Sequence, residues 1–61
     1  MGTVSDIIRL FKDITYVDIV DEFNEYVYSG FYRDMADYIG NMKVIGIYEK
    51  FKTQFIIIVS E

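Results

Sequence analysis

Glu25, Asp34 and Asp37, set among Tyr26, Tyr28 and Tyr38, are the side chains of this 61-residue chain best suited to act on or bind another molecule. A pair such as Asp34 and Asp37 has the groups for acid–base work or for holding a divalent cation. The rest of the composition argues against both. The chain has no His and no Cys, so the usual base of a nucleophilic triad and the usual zinc ligands are missing. Gly2, Gly30, Gly40 and Gly46 are too far apart for a phosphate-cradling loop, and no run has the spaced ligands of a calcium loop. The expectation is a protein that is not an enzyme and uses no cofactor and no metal. What remains for these residues is recognition, with carboxylates and aromatic rings offered on one surface.

Charge is segregated along the chain. The net charge is −4, yet residues 13 to 37 hold seven carboxylates against Arg33 alone, a balance of −6, while each flank sums to +1. Direct binding to nucleic acid, which works by neutralising phosphates, is therefore not expected. An acidic segment suits a basic protein surface instead. No stretch approaches the roughly 20 apolar residues of a membrane span, so no membrane role and a cytoplasmic location are expected.

Hydrophobic periodicity along the chain predicts the helices and strands that carry these residues. Ile7, Leu10, Phe11 and Ile14 share one helical face behind a possible Ser5 cap, predicting a short amphipathic helix over residues 5 to 12. Thr15 to Val20 alternates as a strand, with Thr15, Val17 and Ile19 on one face and Tyr16, Asp18 and Val20 on the other. Asp21 to Asn24 reads as a four-residue hairpin loop, and Glu25 to Ser29 as the return strand ended by Gly30. On that strand Tyr26 and Tyr28 share a face, and Tyr16 could stack across from one of them.

A second helix is predicted over residues 33 to 39. It carries Met35, Tyr38, Ile39 and Met42 as one apolar stripe, has Asp34 at its positive end, and is closed by a left-handed Gly40. The tail has two apolar, β-rich runs, favouring a third strand near 43 to 49 and a fourth near 54 to 59; one long bent strand is the alternative. Phe55 to Val59 does not alternate, as in a strand covered on both faces.

The fold class expected is α+β in a single domain spanning residues 1 to 61: a small antiparallel sheet of three to four strands with one or two short helices packed on it. At this length only about 60% of the unfolded surface is buried, and 52% of the residues are hydrophobic. A homodimer with an aromatic interface is expected on that ground.

Residues 15 to 41 resemble the small homodimeric uracil-DNA glycosylase inhibitors of podophages that infect Bacillus. The likeness is carried by Tyr26 and Tyr28 as Tyr-x-Tyr, then Gly30, Phe31, Asp34 followed by Met35, and Gly40-Asn41. Val27 stands where the family has a carboxylate, Met35 where it has an aromatic residue and Ile39 where it has a tyrosine. The resemblance implies an acidic homodimer that mimics DNA, blocks the enzyme's DNA-binding cleft and sequesters, in an apolar pocket at the subunit seam, the side chain that the enzyme pushes into the duplex. It implies a partner-binding set of Glu25, Tyr26, Tyr28, Asp34, Met35, Asp37, Tyr38 and Ile39. The carboxylates of Glu25, Asp34 and Asp37 would stand in for phosphates, and Met35 and Ile39 of two subunits would form the pocket. The setting would be the cytoplasm of an infected bacterium. The alternative is a small acidic dimeric adaptor or regulatory protein without DNA mimicry.

Overall fold

The computed structural model describes residues 2–10, 16–51 and 54–60. Phe11, Ile14 and Thr15, which the sequence assigns to the first helix and strand, lie outside the described residues.

The first helix, α1, spans Val4–Leu10 and turns Val4, Ile7 and Ile8 into the core. Its cap is Thr3 rather than Ser5. The Thr3 amide donates to Asp6 Oδ2 at 3.1 Å, and the Asp6 amide donates to Thr3 Oγ1 at 3.4 Å, so side chain and backbone satisfy each other's exposed donors. Two further hydrogen bonds fix this end of the chain to the start of the third strand, from the Val4 amide to the Met42 carbonyl and from the Val44 amide to the Gly2 carbonyl, each 3.0 Å.

Strands β1 (Tyr16–Asp21) and β2 (Tyr26–Phe31) form the predicted hairpin. Asp21 closes it, because its Oδ1 accepts from the amides of Phe23 and Glu25 at 2.8 and 2.9 Å. Asn24 takes the left-handed conformation with φ 65°, which Asn tolerates better than most residues. Gly30 lies inside β2 and does not end it.

The predicted helix over residues 33 to 39 is broken. Tyr32–Asp34 form one 3-10 turn, Met35 and Ala36 are extended, and a single α-helical turn, α2, spans Asp37–Gly40. Seven residues are too few for a helix to hold itself in water, so packing decides the conformation. Here packing favours a bend that buries Ile39 and brings Gly40 against Ser5 of α1, so close that a Cβ at Gly40 would collide with Ser5 Oγ. The expected stripe is split as a result: Ile39 is buried, Met35 and Met42 are half-buried against the core, and Tyr38 is exposed. Asp37, not Asp34, occupies the first turn of α2. Gly40 is not left-handed, and Asn41 caps the turn in the right-handed region.

Strands β3 (Lys43–Phe51) and β4 (Gln54–Ser60) are separate and antiparallel. The sheet order is β2-β1-β4-β3, and β1 pairs with β4 in parallel, Val17 opposite Phe55 and Ile19 opposite Ile57. The sheet is therefore mixed, which corrects the antiparallel expectation. Periodicity reports which face a residue occupies and says nothing about the direction of its neighbour.

Both helices lie on one face. Val17, Ile19, Val44, Ile57 and Val59 of the sheet meet Val4, Ile7, Ile8 and Ile39 there in one continuous core. Among the described residues no helix is long and apolar enough to cross a membrane.

The Asp6 carboxyl is held below its ordinary value of 3.8, first by the backbone hydrogen bond from Thr3 and then by the Thr3 hydroxyl. Because the folded value is the depressed one, the cap's contribution is complete above 3.8 and is lost as pH falls through the folded value. An NMR titration of Asp6 is expected to show this depression. The thermal midpoint should drop over the same acid window, and by less in Asp6→Asn; an undisplaced Asp6 titration would contradict the cap.

Candidate protein-binding site

The residues assigned by sequence to a binding surface fall into separate groups. Glu25 is exposed at the hairpin end of β2, whereas Asp34, Met35, Asp37 and Tyr38 follow its other end. Six residues of strand separate the groups by roughly 20 Å at about 3.3 Å per residue.

Tyr26 and Tyr28 do not share a face. A bulge at Val27 shifts the register, so that Tyr28 lies opposite Ile19 while Tyr26 lies opposite Val20, and neighbouring residues of β1 point to opposite faces. Tyr28 accordingly packs against the core, and Tyr26 stands on the other face, 66% exposed. The same register gives Tyr16 a different aromatic neighbour from those expected. It meets Phe31 edge to face, with centroids 5.7 Å apart and planes at 77°.

Tyr28 has a structural task. Its hydroxyl donates to the Phe31 carbonyl at 2.6 Å, and its ring crosses Gly30, whose φ is +158°. A Cβ at Gly30 would lie 2.9 Å from the Tyr28 hydroxyl oxygen and 3.2 Å from Cζ. The ring thus needs a glycine beneath it.

Beyond β2 a cleft of about 270 Å³ opens between the helices, lined by Ser5, Tyr32, Met35, Ala36, Asp37 and Gly40. Met35 and Asp37 of the predicted set line it. Ile39 does not; at 3% exposure it belongs to the core. Ser5, Tyr32 and Gly40 are cleft residues that sequence reasoning missed. The glycine was legible only as a helix stop, and no local pattern reports that α1 returns to it.

Electrostatically the cleft is open on its acidic side. Asp34 and Asp37 are exposed, and among the described residues neither has an ion pair or a side-chain hydrogen bond. Arg33, the sole cation of the acidic segment, lies over the Phe31 ring with Cζ 5.5 Å from its centroid. On the sheet, Asp18 is buried at 8% exposure and accepts from Ser29 Oγ at 2.6 Å, with Lys50 Nζ 3.9 Å away. Among the described residues no cluster of three or more His, Cys, Asp or Glu side chains could hold a metal ion.

Comparison of the chain with protein-family models, with curated proteins and with solved structures finds no match.

Gly30→Ala is expected to lower stability by more than about 1 kcal/mol, through the backbone angle and the collision with Tyr28. Tyr28→Phe should cost about 1 kcal/mol for its lost hydrogen bond. Because Tyr28→Phe also removes the atom nearest the new Cβ, denaturant melts should show Gly30→Ala costing less in that background. Strictly additive losses would contradict the contact.

Proposed function

We propose that this protein is an acidic DNA mimic that inhibits uracil-DNA glycosylase by occupying its DNA-binding cleft. The supporting observation is the Asp34-Met35-Ala36-Asp37 segment, in which two exposed carboxylates, without an ion pair among the described residues, stand on either side of a half-buried methionine that lines a cleft. The order of residues from Tyr26 to Asn41, which resembles the podophage inhibitors, supplies the enzyme's name.

The physical logic is competitive. A duplex binds its enzyme largely through phosphate charge, so a protein with carboxylates along a similar span competes for the same basic groove. Glu25 and the Asp34, Asp37 pair, spread along β2 by roughly 20 Å, supply charge over a length rather than at a point. Met35 supplies the apolar wall of a socket for the side chain that the enzyme would otherwise drive between bases. The resemblance assigned that socket to Met35 and Ile39 of two subunits. In this reading Met35 acts within the cleft of its own protomer, with Tyr32 and Ala36 replacing the buried Ile39.

Uracil excision by a bacterial uracil-DNA glycosylase should be suppressed by a molar excess of the protein, and inhibition should weaken as salt rises. Asp34→Asn with Asp37→Asn should raise the dissociation constant at least about tenfold, near 1.4 kcal/mol, and flatten that salt dependence. Excision that continues at full rate under excess protein would refute the reading. Tight binding insensitive to salt would point to the apolar adaptor.

A further inference from the structure

The sheet has a second face, on which neither helix packs. Register places Val20, Ile56 and Ile58 at its centre, opposite or beside one another on β1 and β4, with Gly46 and Tyr48 next to them on β3. Tyr26 and Phe31 border it on β2. Tyr26, Tyr48 and Phe31 are 66, 61 and 49% exposed. Val20 is buried yet stands outside the helix-side core. We infer that two copies of this chain join by stacking these open sheet faces about a two-fold axis.

Three features of the face select a second copy as its occupant. The first is its strand pattern. The central β1–β4 pair carries Val20, Ile56 and Ile58 on this side, apolar residues that the helix-side core does not take up. The second is area. Four strands about 4.8 Å apart and six or more residues long make a face of roughly 400 Å² in plan and more in accessible surface. That approaches the ~600 Å² per partner at the low end of stable interfaces and matches a flat partner of equal size. Two such sheets pack about 10 Å apart with their side chains interleaved.

The third is charge. A chain of net charge −4 self-associates best through a face spared from its own carboxylates. The acidic residues of the hairpin loop and of residues 34 to 37 lie off this face, which carries Asp18 with Lys50 and, at the far end of β3, Lys43. Asp18 already has the Ser29 hydrogen bond and the Lys50 ammonium near it, so covering it does not strand a bare charge. A two-fold stack leaves both Met35 clefts on the outer, helix-bearing sides, which differs from the seam beside Met35 that the resemblance implied.

Sedimentation equilibrium of the full chain at micromolar concentration should give twice its 7.2 kDa mass. Tyr26→Lys combined with Tyr48→Lys should return it to one chain mass, while Leu10→Lys, 74% exposed on α1, should leave it dimeric. A wild-type mass of one chain, or a dimer that survives the tyrosine pair and dissolves with Leu10→Lys, overturns the inference. Should the double variant unfold by circular dichroism, isotope-filtered NOEs on mixed labelled and unlabelled wild-type chains decide. Contacts between copies from the Ile56 and Ile58 methyls support the stack; contacts from α1 or α2 alone, or none, overturn it. The inference does not rest on glycosylase inhibition: a dimer that fails to inhibit refutes only the proposed function, and an inhibitory monomer refutes only the stack.

Discussion

The parallel ladder between β1 and β4 holds the centre of the sheet, and the other elements are added around it. It places Val17, Ile19, Ile57 and Val59 at the bottom of the core and Val20, Ile56 and Ile58 on the reverse side. With no disulfide and no metal cluster among the described residues, burial around this pair must supply most of the stability. The hairpin partner β2 extends it on one side and β3 on the other. The two short helices are then the least cover that closes one face, and α1 is tied to that role by its hydrogen bonds to Met42 and Val44.

Because the core is made elsewhere, the acidic segment is left at the margin, where its charges stay in water. The hairpin loop uses one carboxylate, Asp21, to hold its own turn, and the sheet uses another, Asp18, in a network with Ser29, Tyr16 and Lys50. Among the described residues Glu25, Asp34 and Asp37 have no such internal duty. Arg33, which would otherwise neutralise one of them, lies over Phe31. Their desolvation by a basic partner would thus be offset by new pairs rather than by pairs broken within the protein.

What could be read from the sequence was local. Asp21 and Asn24 specify the hairpin because their side chains and tolerated backbone angles act within four residues, and the apolar run in β4 announces a strand, although the helices cover only its Phe55, Ile57 and Val59 side and not the two faces expected. What could not be read was set by contacts between distant segments. The parallel direction of β4, the Val27 bulge that parts Tyr26 from Tyr28, and the bend at Met35-Ala36 each follow from how elements dock. The candidate site suffered most from this. The resemblance put Ile39 in a pocket, whereas docking of α2 on α1 buried it and put Ser5, Tyr32 and Gly40 beside Met35. Tyr28, a candidate contact by its spacing from Tyr26, is occupied with Gly30 and Phe31.

Whether the protein takes the place of DNA is decided by competition for the enzyme's groove. A fluorescent DNA duplex bound to a bacterial uracil-DNA glycosylase should lose its anisotropy as this protein is added, with the displaced fraction following one-to-one exclusion and no species holding enzyme, DNA and protein together. A stable ternary complex, with the duplex still bound when the protein saturates the enzyme, would contradict the claim that its carboxylates take the place of phosphates.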